Sequence, residues 1–223
     1  GENVILLANH QIEPDPQVIS ILLEERYPMI AEEMIFVAGH RVVTDPLAVP
    51  FSLGRNLLCI YSKKHIDTPP EQKAEKLMHN QRTLKKLLQL LSEGGKCIYV
   101  APSGGRDRPD SKGYLFPEEF DPQSIELFAL LAKQAKTPTH FYPLALATYA
   151  LLPPPNTVEK EIGEKRHASL APAHLNFGEE VNLETLVHET EDKQEKRVQR
   201  AKKLTDIVRR LYAEIDGSTP VRS

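Results

Sequence analysis

The chain has 223 residues, 40% hydrophobic and 26% charged, with a formal net charge of −3 and an isoelectric point of about 6.3. That is enough chain for one sizeable core in one compact domain, and the charge argues against general nucleic-acid binding, which needs a basic face. The two cysteines, Cys59 and Cys97, are too few for a disulfide framework or a cysteine-based metal site, and no window approaches the roughly 18 apolar residues that a membrane span needs.

The apolar run "NVILLAN" at 3–9 predicts a buried strand. "DPQVISILLEERY" at 15–27 predicts a helix, with Asp15 as its N-cap and Pro16 in the first helical position. "EMIFVAG" at 33–39 predicts a second strand. "DPLAVPFSLG" at 45–54 predicts a short helix or turn broken by Pro50, and "NLLCIYS" at 56–62 a third strand. After the basic loop "KKHIDTPP", residues 71–95 form the clearest early helix, with Leu77, Leu84, Leu87, Leu88 and Leu91 at helical spacing and Gly94-Gly95 as its stop. "KCIYVAP" at 96–102 is a fourth strand, "DPQSIELFALLAKQAK" at 121–136 another capped helix and "HFYPLALAT" at 140–148 a fifth strand. Beyond a proline turn come extended segments, then a last long helix from about Leu186 to Ile215. Both cysteines fall inside apolar strands, which predicts buried, reduced thiols and a reducing compartment.

Short apolar runs alternating with amphipathic ones predict an α/β domain: a mostly parallel or mixed central sheet flanked by helices. The whole chain, 1–223, reads as one such domain. It opens with Gly1 rather than Met, and a strand begins almost at once. An N-terminal portion, with any targeting sequence, is therefore expected to have been removed or not represented.

Three polar clusters each follow a predicted strand, and in such folds the loops at strand ends gather into a site. In "NHQIEPDP", His10 leaves a strand and Asp15 starts a helix. A neutral imidazole can take a proton from a hydroxyl while a carboxylate fixes its tautomer, but spacing equally allows a plain turn histidine followed by a helix cap. An echo, "GHRVVTDP", offers His40 and Asp45 in the same arrangement. The second cluster is Lys63, Lys64 and His65. The third, "SGGRDRP", sets Arg106 and Arg108 after a glycine pair, which suits an anion because guanidinium forks bind phosphate oxygens. The same loop also reads as a surface turn in which the arginines pair locally with Asp107.

In this order, "NHQIEPDP", "GRNLLCIYSKKH", "APSGGRDRP" and "YPLAL", with the later "PPPNTVEKEIGEKR", resemble the soluble plastid-type glycerol-3-phosphate acyltransferases, members of the H-x4-D glycerolipid acyltransferase superfamily. The likeness covers almost the whole chain. It implies an acyltransferase-like fold and transfer of a fatty acyl group from acyl–acyl carrier protein, or acyl-CoA, to the sn-1 hydroxyl of glycerol 3-phosphate, the first step of phospholipid synthesis. By matching position it implies His10 as general base with Asp15 as its partner, and Lys64, His65, Arg106 and Arg108 as phosphate-binding residues. The order of blocks favours His10 over His40, which becomes a turn or supporting residue, with Asp45 a cap. The family's N-terminal helical domain has no counterpart in this chain. No cofactor or metal is called for beyond the thioester co-substrate. The expected partners are glycerol 3-phosphate and acyl carrier protein or a CoA thioester, with no nucleic acid, and a peripheral membrane contact is compatible. The expected setting is plastid stroma or bacterial cytoplasm. Two other readings fit the same residues: an acyltransferase for lysophosphatidate or another phosphorylated alcohol, and a non-catalytic phosphate-ester or carrier-protein binding module that would not depend on His10.

Overall fold

The computed structural model describes residues 1–62, 66–154, 166–187 and 192–215. The strands are β1 (Asn3–Ala8), β2 (Ile35–Gly39), β3 (Asn56–Ile60), β4 (Cys97–Val100), β5 (Thr139–Ala147) and β6 (His174–Phe177). The helices are α1 (Asp15–Glu24), α2 (Pro28–Glu33), α3 (Val49–Ser52), α4 (Lys73–Glu93), α5 (Pro122–Ala135) and α6 (Lys193–Ala213). The strands form one six-stranded sheet in the order β3-β2-β4-β1-β5-β6. Every neighbouring pair is parallel except β5 and β6, which run antiparallel. The expected mixed α/β sheet is therefore present.

The strands in the middle of the sheet read as continuous apolar runs because helices cover both faces. In β1, Ile5 and Leu7 face one core, while Leu6 and Ala8 face the other. The first core takes Leu87 and Leu91 of α4, Phe128 of α5 and Leu204 of α6. The second is thinner, covered by Ile19 and Leu23 of α1 and Ala31 of α2.

Three element boundaries differ from expectation for local reasons. The helix expected through Tyr27 ends at Glu24. Tyr27 precedes Pro28 and is driven out of the helical region, to φ −134° and ψ 58°, so Pro28 opens a separate short helix. The last helix begins at Lys193 rather than near Leu186, because the Asp192 side chain accepts from the backbone N–H of Gln194 at 2.8 Å and caps it there. Leu183 and Val187 instead lie buried ahead of that helix. The short helix expected over 45–54 narrows to Val49–Ser52.

The parallel arrangement brings the carboxyl ends of β1, β4 and β5 to one edge of the sheet, so the residues that follow each strand meet there. Leu87 is fully buried in the core on the opposite face of the sheet from α1. Leu87→Ala is expected to lower the unfolding free energy by about 2–5 kcal/mol, read from the midpoint of urea denaturation.

Candidate active site

The loop after β1 carries the first cluster. Asp15 is the first residue of α1 and is fully buried. It does not cap that helix as expected. Pro14 takes the N-cap position, and the Asp15 carboxylate turns back into the preceding loop. Its Oδ2 accepts from His10 Nδ1 at 2.8 Å, from the Gln11 backbone N–H at 2.8 Å and from the Ile12 backbone N–H at 3.3 Å. Its Oδ1 accepts from the Thr148 hydroxyl at 2.6 Å. With Nδ1 donating to Asp15, the imidazole's Nε2 carries the lone pair. The His10 side chain keeps 29% of its surface exposed, so solvent or a substrate can reach it.

The loop after β4 carries the third cluster. Arg106 and Arg108 are partly buried, and Asp107 between them is fully buried. The Asp107 side chain turns inward. Its Oδ2 accepts from Asn9 Nδ2 at 2.6 Å and from Gln11 Nε2 at 3.3 Å, and its Oδ1 from the Glu118 backbone N–H at 2.9 Å. Its own backbone N–H donates to the His10 carbonyl at 2.7 Å. Asp107 is thus an interior anchor that joins the arginine loop to the His10 loop. Arg106 Nη1 pairs with Glu13, whose Oε1 also takes Arg166 Nη2 at 2.6 Å. The Arg166 side chain is only 2% exposed, so this Glu13–arginine cluster is largely out of water.

Asn9 and Gln11 complete the frame. The Asn9 side chain pairs with both backbone groups of Leu146, accepting from its N–H at 2.7 Å and donating to its carbonyl at 3.0 Å. Gln11 Oε1 accepts from the backbone N–H groups of Thr148 and Tyr149, at 2.7 and 2.9 Å. Tyr99 on β4 donates its hydroxyl to the Asn9 carbonyl at 2.8 Å from beneath.

The electrostatics follow from this burial. Desolvation pulls the His10 imidazole down, but the hydrogen bond and charge of Asp15, with Asp107 behind, outweigh it and Arg106's opposition, so His10 sits above its ordinary value of 6.5. Burial pushes the Asp107 carboxyl up to about 7, against the donors from Asn9, Glu118 and Gln11. Burial also raises both thiols, Cys97 to about 11, so neither is an activated nucleophile at neutral pH. Among the described residues no group of three or more His, Cys, Asp or Glu side chains is arranged to hold a metal ion.

Residues 1–147 match the family model described as Acyltransferase. The chain belongs to the acyltransferase family. The chain is 46% identical over 213 residues to a chloroplastic glycerol-3-phosphate acyltransferase of Cucurbita moschata, a match covering 95% of this chain and 46% of that protein. It is 46% identical over 196 residues to the Arabidopsis thaliana chloroplastic enzyme of that name (87% of this chain, 43% of that one). With the Spinacia oleracea enzyme it shares 51% over 183 residues (82% and 39%). The chain spans just under half the length of these curated relatives.

The structure pairs His10 with Asp15 and Arg106 with Glu13, on two loops joined by the Asp107–His10 backbone bond. Lys64 and His65 lie outside the described residues. The echo pair separates. His40 opens a short 3-10 turn after β2, stacks on Tyr61 with ring centroids 4.1 Å apart and shares a hydrogen bond with its hydroxyl at 3.1 Å. Asp45 accepts from the Leu47 backbone N–H at 3.0 Å and from Arg41 at 3.3 Å. It therefore caps a turn, while α3 starts later, after Ala48.

Reasoning from sequence missed Asn9, Gln11, Glu13, Thr148 and Arg166, and gave Asp107 no role beyond the alternative of a local partner for its neighbours. The available signal was the density of uncharged polar residues in "NHQIEPDP", more than a plain turn needs. Asp107→Asn sets its amide NH2 against a donor in either orientation, the Glu118 backbone N–H or Asn9 Nδ2 and Gln11 Nε2, and Asn9 cannot flip because Leu146 fixes both ends of its amide. The expected result is a loss of about 1–3 kcal/mol of stability in chemical denaturation, whereas a surface Asp→Asn change would leave the midpoint unmoved.

Proposed function

We propose that the chain carries the catalytic domain of a glycerol-3-phosphate 1-O-acyltransferase. It would move a fatty acyl group from acyl–acyl carrier protein, or acyl-CoA, to the sn-1 hydroxyl of glycerol 3-phosphate. The observation that carries the reading is the juxtaposition of two chemistries at one sheet edge. A histidine held by a buried carboxylate stands on one loop, an arginine-rich loop stands on the next, and the Asp107–His10 backbone bond joins them at 2.7 Å. The names of the plant relatives support this substrate.

In this mechanism His10 Nε2 removes the proton from the sn-1 hydroxyl as its oxygen attacks the thioester carbonyl carbon. Asp15 holds the imidazole by Nδ1 and offsets the positive charge that develops. Collapse of the tetrahedral intermediate breaks the carbon–sulfur bond, and the imidazolium returns the proton to the departing thiolate. The acyl group passes directly to the alcohol, with no acyl-enzyme.

Arg106 and Arg108, together with Lys64 and His65, would hold the phosphate and so fix the hydroxyl beside His10, which lowers the entropic part of the barrier. A guanidinium carries five N–H donors, enough for Arg106 to serve Glu13 and a phosphate together. The relatives are named as chloroplastic enzymes, which supports a plastid setting. Among the described residues no helix is long and apolar enough to cross a membrane.

The test is an acyl-transfer assay with both thioester donors. His10→Ala is expected to lower kcat by at least about 100-fold while glycerol 3-phosphate still binds. Arg106→Ala and Arg108→Ala are each expected to raise the KM for glycerol 3-phosphate about tenfold, the loss of one charged hydrogen bond. Near-normal turnover by His10→Ala would sink the base assignment, and unchanged KM in both arginine variants would sink the phosphate site. The raised pKa of His10 makes a separate forecast. The base works only when neutral, so activity should rise with pH through a midpoint above 6.5, and the His10 ring signal followed by NMR should titrate above that value.

A further inference from the structure

We propose that Thr148 is a positioning residue of the site, its hydroxyl fixing the rotation of the Asp15 carboxylate and, through it, the aim of the His10 imidazole. This rests on the reading of His10 as the base. The contacts of Asp15 are divided unevenly. Oδ2 takes His10 Nδ1 and the two backbone N–H groups of the same loop. Those three partners lie within five residues of Asp15 and would move with it if the loop shifted. The contact at Oδ1 comes from Thr148, 133 residues further along the chain, at 2.6 Å. That contact ties the carboxylate to the sheet rather than to its own loop.

The Thr148 hydroxyl is well placed to serve as a fixed reference. Thr148 follows the last residue of β5, is fully buried and has its backbone N–H held by Gln11 Oε1. A hydroxyl facing a carboxylate oxygen must be the donor, and 2.6 Å lies in the range of charge-assisted O–H···O bonds. With Oδ1 and Oδ2 both engaged, the carboxylate cannot turn about its terminal torsion, so the Nδ1–H of His10 meets an oxygen in one place. The donation has a second effect. By drawing negative charge toward Oδ1 it lessens the charge on Oδ2, which keeps the Nδ1 proton on the imidazole while Nε2 gains and returns its own. The other charged or titratable groups facing His10 and Asp15 are Asp107, Arg106 and Tyr99, and none of them is removed by a substitution at Thr148.

The test compares Thr148→Val, which keeps the shape and removes the hydroxyl, with Thr148→Ser, which keeps the hydroxyl and removes the methyl. Measured on the full chain, Thr148→Val is expected to lower kcat roughly 10- to 100-fold, the scale of a misaimed catalytic group, with little change in KM for glycerol 3-phosphate. The His10 ring titration followed by NMR is expected to move upward in Thr148→Val, because Asp15 Oδ2 becomes the stronger acceptor. Thr148→Ser is expected to restore both. Wild-type kcat and an unmoved His10 titration in Thr148→Val would overturn the assignment. So would Thr148→Ser being as impaired as Thr148→Val, which would make the methyl's packing the operative feature. The NMR arm needs no turnover. If the unaltered chain transfers no acyl group, the reading of its function fails, while the His10 titrations still decide for or against Thr148.

Discussion

A buried carboxylate with no access to water must find its hydrogen-bond donors in the protein, and Asp107 meets that requirement in a way that organises everything around it. Asn9 and Gln11 come from the loop after β1, and Glu118 from the segment leading to α5. Asn9 and Gln11 then use their remaining groups on Leu146, Thr148 and Tyr149. One carboxylate thereby joins the segments that follow three parallel strands. The arginines on either side of it are only partly buried, and Arg106 is held by Glu13. The desolvation that pushes Asp107 up to about 7 is the energetic cost of this arrangement, and the three donors offset part of it.

The sheet explains why such a frame can exist. Parallel strands place all their carboxyl ends on one side, and helices on both faces leave that edge as the natural place for a ligand. The two cores do different work. α4, α5 and α6 build the thicker one, which holds the strands in register. α1 belongs to the thinner one and begins with Asp15, so the element that covers a sheet face also delivers the carboxylate to His10. Fold and site meet at the first residue of that helix, and this is why Pro14, rather than Asp15, occupies the cap position.

Much of the fold was legible in the sequence because each strand is a short apolar run and each long helix has a clear apolar stripe. Phe128 and Leu131, or Leu204 and Val208, repeat at helical spacing and are buried together. The His10–Asp15 contact was legible as one of two options because both residues lie in one loop. The echo could not be separated by spacing, since what distinguishes His40 is Tyr61, a partner 21 residues away. The interior role of Asp107 was not legible for a related reason. Between two arginines its charge has an obvious local explanation, and only the tertiary fold reveals Asn9, 98 positions earlier. Thr148 and Arg166 carry no local sign at all, because an isolated threonine after a strand, or an arginine in a charged stretch, is ordinary. The proposed roles of Lys64 and His65 rest on sequence likeness.

The distance along the chain between Asp15 and Thr148 has a consequence for the order in which the molecule comes into being. A chain is made from its amino end, and segments begin to organise as they emerge. His10 and Asp15 emerge before β2 to β6, whereas the hydroxyl that squares the carboxylate arrives 133 residues after Asp15, later than the loop that holds Asp107. A nascent chain ending before β5 therefore carries the histidine and the aspartate but not the frame that aims them. The bonded frame around His10 and Asp15 is thus not assembled until the sheet is nearly complete.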